Sequence, residues 1–244
     1  MTTILSIGDK LYADRRCTFE GGPLSHVLKG EGRNDIRTDF SKKIFVVSNG
    51  ILLKPTEDCE FFGLKDPTEI PIVKAFCAAG DTGIIGVVEN AVRIYADDEG
   101  NHQLDTLLRM IGSSRLDILQ TFKLLAVLSD GRTVELELKK DRQDGTAVVN
   151  GKLNETGRIC MLGSGSRYWH KEMKYGPEHA KDLFVACCYL DENSSINYSV
   201  FDIVTDKLTF HTPTDEEIQK AMNNVGLGGL WMGPKKVLDF SDKK

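Results

Sequence analysis

The chain has 244 residues, 41% hydrophobic and 27% charged, with a formal net charge of -5. That balance suits a globular protein built as one large domain or two small ones. It excludes a broad basic face for nucleic acid or anionic membrane, and no apolar run approaches the ~20 residues of a membrane-spanning helix. The N-terminus has neither a basic region nor an apolar signal core, so a cytoplasmic location is expected. The six cysteines (Cys17, Cys59, Cys77, Cys160, Cys187 and Cys188) lack the spacings that bring four ligands onto zinc. They read as free thiols of a reducing compartment, and no metal site is expected.

In chain order, TTILSI and KLYAD flank Gly8-Asp9, a pair suited to a tight hairpin turn that returns Asp14 towards the chain's start. Residues 17 to 41 are rich in glycine and charge without a period and read as an irregular loop. KIFVVSNGILL carries Asn49-Gly50 between apolar runs, the signal for a second hairpin. PTEDCEFFGLKDPTEIP reads as a loop between Pro55 and Pro71, and IVKAFCAAG as a buried strand ending at Gly80. Ile84, Val87, Val88, Ala91 and Val92 recur at helical spacing, which predicts an amphipathic helix over 82 to 95, with a shorter helix around LDTLLRMI.

FKLLAVLSDGRTVELEL predicts a hairpin with Val134, Leu136 and Leu138 on one face and Thr133, Glu135 and Glu137 on a wet face. RICMLGSGS reads as a strand entering a small-residue turn. PEHAKDLFVACCYLD predicts a helix that delivers Asp191 at its end. INYSVFDIV and KLTFHT predict a third hairpin, and DEEIQKAM a short helix. The Gly-rich tail from Asn223 reads as peripheral, so one domain is expected over 2 to 222. Hairpins with segregated helices, rather than strand-helix-strand crossovers, predict an α+β sandwich of mainly antiparallel sheets.

The start of the chain can carry chemistry. A small second residue permits removal of Met1, which makes Thr2 the N-terminal residue. Its α-amine, with a reference pKa near 7.7–8.0, is then partly neutral and can serve as base for its own hydroxyl. A lysine nearby disfavours a second positive charge, and an aspartate paired with that lysine fixes its position. Asp14 and Lys43 are candidates for this pair. Of Lys42 and Lys43, only one can point inward, because neighbouring side chains of a strand face opposite ways.

TTILSI, ADRR, KKIFVV, AAGDTG, GSGS and DENS, at Thr2, Asp14 to Arg16, Lys42-Lys43, Ala79-Gly80, Gly163 to Ser166 and Asp191 to Ser194, occur in the order seen in proteasome β subunits and their bacterial, HslV-like relatives. The chain resembles these threonine peptidases of the N-terminal-nucleophile (Ntn) hydrolase superfamily along nearly its whole length. The resemblance implies a four-layer α-β-β-α sandwich with two antiparallel sheets and a catalytic set of Thr2 as nucleophile, Lys43 held by Asp14, Ser164, Asp191 and Ser194 around the amine, and the Gly80 N–H as oxyanion donor. It also implies a substrate strand between Cys17-Thr18 and the Gly80 segment, with Ala78 and Thr82 lining the first specificity pocket. No cofactor is implied. The partners implied are a peptide or unfolded-protein substrate, further copies of the chain in stacked rings, and an ATP-dependent unfoldase.

Two departures stand out. Ser195-Ile196 replaces the two glycines that usually follow Asp-x-x-Ser, and the segments before Lys43 and between Gly80 and Ser164 are long. A ring-forming shell without activity and a small-molecule amidase of the same superfamily are the competing readings. The five histidines are scattered, without a partner at metal or triad spacing.

Overall fold

A computed structural model describes residues 3–19, 36–38, 42–52, 72–79, 122–140, 147–169 and 176–234. The first sheet is antiparallel, in the order β10 (Cys160–Gly163), β1 (Thr3–Ile7), β2 (Lys10–Asp14), β11 (Tyr198–Asp202) and β12 (Lys207–His211). The second runs β5 (Ile44–Leu52), β6 (Ile72–Ala79), β7 (Phe122–Leu128), β8 (Thr133–Lys140) and β9 (Ala147–Asn154), again antiparallel throughout. β1 lies over β6 and β7, while β2 and β11 lie over β5.

Alternation along the strands sorts the core. Ile4, Leu11, Ala13, Leu162 and Phe201 of the first sheet meet Ile44, Ala75, Cys77, Leu125 and Val127 of the second. Leu5, Ile7, Tyr12, Tyr198 and Val200 face the other way, into a layer formed by α1 (Ala180–Leu190) and α2 (Asp215–Asn224). Phe184 of α1 sits between Tyr12 and Tyr198, with ring centroids 5.4 Å from each. α2 begins with a capping box. Thr214 Oγ1 accepts from the Glu217 N–H, and a Glu217 carboxylate oxygen accepts from the Thr214 N–H, satisfying two orphan donors. Its Ile218, Ala221 and Met222 turn inward. Among the described residues the architecture is therefore helices on one sheet, stacked on a second. Phe45, Phe76, Ala78, Leu124 and Ala126 alternate with the intersheet residues of the second sheet and are also buried, so that sheet is covered on both faces.

The predicted first hairpin forms with a two-residue turn, Ile7 opposite Lys10. Gly8 takes φ 54 there, the first-position conformation that a type II′ turn reserves for glycine. The hairpins β7–β8 and β11–β12, the buried β6 and the helix ending before Asp191 also form as expected. Three expectations are corrected. Asn49-Gly50 is not a hairpin turn: both lie inside β5, where pairing with β6 slips between Val46 and Ile51 and the excess residues are absorbed as an irregularity in one strand. The stretch 17 to 41 is not wholly irregular, because β3 (Cys17–Phe19) pairs with β4 (Ile36–Thr38). The polar face of β8 is not wet: Thr133 is buried, and Glu135 accepts hydrogen bonds from Cys160 Sγ and Asn154 Nδ2 beneath the edge of the first sheet. The helices predicted over 82 to 95 and around LDTLLRMI lie outside the described residues.

Beyond α2 the chain stays attached. Trp231 stacks on Tyr189 at 4.9 Å. The Tyr189 hydroxyl accepts from the Met232 N–H and donates to the Gly233 carbonyl, each at 2.9 Å.

Truncating the aromatic cluster tests this packing. Phe184→Ala is expected to cost about 3–5 kcal/mol by removing a fully buried ring, whereas Val204→Ala, at 78% exposure, should stay within about 0.5 kcal/mol. Urea unfolding of the two variants measures the difference.

Candidate active site

The open ends of both sheets, the end of α1 and the turn after β10 converge on the first described residue, Thr3. Asp14 ends β2 alongside it, because the register Ile4 to Ala13 brings the next pair together. Lys43 immediately precedes β5 and reaches across from the second sheet. Its Nζ lies 3.0 Å from both carboxylate oxygens of Asp14, with side-chain exposures of 1% and 0%. Lys42, its neighbour, is exposed, which resolves the choice between the two lysines. Asp14 also accepts backbone N–H groups from Thr3 (2.6 Å), Arg16 (2.8 Å) and Ser195 (3.2 Å). Such an array of donors is what allows a carboxylate to stay buried.

A second carboxylate lies nearby. Asp191 caps the C-terminus of α1. It accepts from Ser164 Oγ (2.5 Å), Ser194 Oγ (2.7 Å), the Asn193 N–H (3.2 Å) and the half-exposed Arg167 guanidinium (3.4 Å). Burial works to raise its pKa, but the serine hydroxyls, the Asn193 N–H and Arg167 outweigh it and hold the carboxyl below the usual aspartate value. Ser164 opens a 3-10 turn that β10 enters through Gly163, whose φ of 88 is the left-handed region glycine adopts without strain.

The serine protons decide the polarity of this cluster. A hydroxyl has one proton, and both Ser164 and Ser194 direct theirs at Asp191. Any further bond either serine makes must therefore be an accepting one. Thr3 Oγ1 lies 2.6 Å from Ser194 Oγ, so Thr3 is the donor in that contact.

Of the residues expected from sequence, Asp14, Lys43, Ser164, Asp191 and Ser194 are brought together here. Thr2, Gly80 and Thr82 lie outside the described residues, while Cys17 and Thr18 lie on β3. Ala78 is fully buried opposite Leu124, on the face of the second sheet turned away from the first. The sequence reading missed Thr3, Gly165, Arg16 and Ser195. Arg16, 3% exposed, ties the end of β2 to the Asp191 loop by donating to the Glu192 carbonyl at 2.8 Å. Ser195-Ile196 occupies its turn without strain: neither residue takes a positive φ, and Ile196 packs into the helix-side core. Arg16 and Gly165 fall within the motifs ADRR and GSGS, and Thr3 shares strand parity with Leu5 and Ile7 on the helix-facing side of β1.

The buried thiols offer no rival nucleophile. Burial pushes the Cys77 and Cys160 thiols well up, and burial with the Asp191 charge pushes Cys187 up to about 12, so they remain protonated and unreactive. Among the described residues no three His, Cys, Asp or Glu side chains converge on a point that could hold a metal ion. No helix among them is long and apolar enough to cross a membrane.

No protein-family model matches the chain, and no curated protein does. Solved structures do. The Anbu (ancestral β-subunit) protein of Yersinia bercovieri is similar with a TM-score of 0.50 at 9% identity, covering 94% of each chain. Anbu from Hyphomicrobium sp. strain MC1 gives 0.49 at 10%, over 93% of this chain and 94% of that one. A helical assembly of the Anbu complex from Pseudomonas aeruginosa gives 0.48 at 10%, over 98% and 99%. The chain has a proteasome-like fold. Assignment to proteasome β subunits and their HslV-like relatives is corrected by these findings. The Yersinia bercovieri neighbour is an Anbu protein, of a distinct family, and 9% identity with no matching family model does not support that assignment.

The lowered pKa of Asp191 has a fixed sign. Its contribution to stability is fully present above the ordinary value of 3.8 and is lost as pH falls through the lower folded value. Asp191→Asn should be less stable than the wild type at neutral pH, with the gap closing below about pH 4. Urea midpoints measured for both proteins down to acid pH check this.

Proposed function

We propose that the chain is a threonine-type amide hydrolase acting on peptide bonds, with Thr2 as nucleophile once Met1 is removed. The observation that carries this reading is the pairing of Lys43–Asp14 with a serine–carboxylate cluster whose hydroxyls donate to Asp191 and can only accept from any further partner. Both halves meet at the residue following Thr2. A group recognised by serine oxygens must donate, and an N-terminal amine donates. Lys43 beside it disfavours the ammonium form and so favours the free base.

In the proposed reaction Thr2 Oγ attacks the amide carbonyl carbon while its proton passes to the α-amine. The Gly80 N–H steadies the developing oxyanion, a contribution of ~3–4 kcal/mol for one such donor. The C–N bond then breaks, the leaving amine takes the proton, and an ester to Thr2 remains. Water, giving its proton to the same amine, attacks that ester and releases the acid and Thr2 Oγ–H. The substrate strand would run between Cys17-Thr18 and the Gly80 segment, adding edge pairing, with Thr82 at the first side-chain pocket.

The reading extends to architecture and assembly. The second sheet is buried on its outer face as well, which supports a fourth layer built by the amphipathic helix over 82 to 95 and hence a full α-β-β-α sandwich over 2 to 222. We place the protein in the cytoplasm as a homo-oligomer, in stacked rings that enclose the sites.

A peptide epoxyketone, which bridges an amine and a hydroxyl on one residue, tests the chemistry. The expected result is loss of the Met1 mass and a single adduct mapped to Thr2, abolished by Thr2→Ala. Retained Met1 without an adduct would support a shell without activity. An adduct together with turnover of small amides but not peptides would move the substrate to the amidase class.

A further inference from the structure

We infer that Thr3, which no sequence motif singled out, is a positioning residue that couples the Lys43–Asp14 pair to the Ser164–Asp191–Ser194 cluster at the position next to the nucleophile. The inference rests on the hydrolase reading. Thr3 is fully buried and uses both of its donors. Its N–H donates to Asp14 Oδ2 at 2.6 Å, and its hydroxyl donates to Ser194 Oγ at 2.6 Å, a direction set because Ser194 gives its own proton to Asp191. One residue thereby bonds to both halves of the site.

Packing locks the side chain in that orientation. Gly165, in the turn after β10, faces it directly. A Cβ at Gly165 would lie 2.8 Å from Thr3 Cγ2 and 2.9 Å from Thr3 Cβ, so the glycine supplies the space that the threonine fills. Consecutive Cα atoms are about 3.8 Å apart, and orienting Thr3 therefore limits where the Thr2 amine and hydroxyl can go.

The hydroxyl also tunes its acceptor. A hydrogen bond donated to Ser194 Oγ occupies one lone pair and draws density from the oxygen, which weakens it as an acceptor for an α-ammonium. Among the described residues, the charged groups bordering the site include Asp14 from β2, Arg16 just beyond it, Lys43 from the approach to β5, Asp191 from the end of α1 and Arg167 from the 3-10 turn. Thr3→Val removes the donor and keeps the shape; Thr3→Ser keeps the donor and removes the methyl.

The test measures two quantities on the full chain and both variants, with thermal unfolding as the check that each folds. One is the α-amine titration midpoint by 15N NMR; the other is the epoxyketone labelling rate against pH. Thr3→Val should raise the amine midpoint by about one pH unit, the scale of one neutral hydrogen bond, and slow labelling near neutral pH about tenfold. Thr3→Ser should stay within about twofold of the wild type, because it keeps the hydrogen bond. An unmoved midpoint in Thr3→Val, or an equal shift in Thr3→Ser, overturns the coupling role and leaves Thr3 as packing. The midpoint is read without turnover, so a wild type that takes no label while its amine still responds to Thr3→Val overturns the hydrolase reading alone.

Discussion

Two opposite charges with almost no exposure, Lys43 and Asp14 at 3.0 Å, set the terms for everything around them. A buried carboxylate or ammonium left without a partner costs several kcal/mol, so this pair can exist only where the rest of the chain supplies matching groups. The three backbone donors to Asp14 come from the start of β1, from the residue two beyond the end of β2 and from the turn after α1. Lys43 arrives from the other sheet. The ion pair is thus a four-way junction: it forms when both sheets and the helix layer are in register, and it fixes where Thr3 lies.

Asp191 solves the same problem differently. Its charge is held mainly by hydroxyls and a backbone N–H, with one half-exposed arginine at longer range. The consequence is chemical as well as structural. Serines whose protons are committed to a carboxylate offer only lone pairs, and this converts two ordinary hydroxyls into a receptor for a donor. The likeness to the Yersinia bercovieri Anbu protein, at 9% identity, speaks to the fold; the chemistry is argued from these side chains.

Much of this was legible in the sequence where local rules and tertiary context agree. Gly8-Asp9, Asp130-Gly131 and the alternation around them specify hairpins, and the stripe Ala180, Leu183, Phe184 and Cys187 specifies α1. Legibility failed where context overrode a local signal. Asn49-Gly50 carries a strong short turn signal, yet β6 pairs with residues on both sides of it and keeps it within one strand. β3 and β4 have three residues each, too few for alternation to register, and β9, reading AVVNGKLN, dilutes its β-formers with glycine and asparagine. Glu135 looked solvated because no sequence pattern shows Cys160 and Asn154 arriving above it. At the site, Asp14 and Lys43 were candidates from their charges and strand positions, while Ser164, Asp191 and Ser194 came only from the resemblance. Thr3 and Gly165 escaped because their importance lies in a contact between residues 162 positions apart, where one fills the space the other leaves.

A double-mutant cycle on Asp14→Asn and Lys43→Met, read by urea unfolding, tests the junction most directly. Each single change should cost about 3–5 kcal/mol, because each strands a buried partner. The double variant should cost less than the sum by about 1–3 kcal/mol, since both stranded groups are then gone. Single costs under about 0.5 kcal/mol that simply add would contradict the account, because the pair would then be a bystander at a site organised by something else.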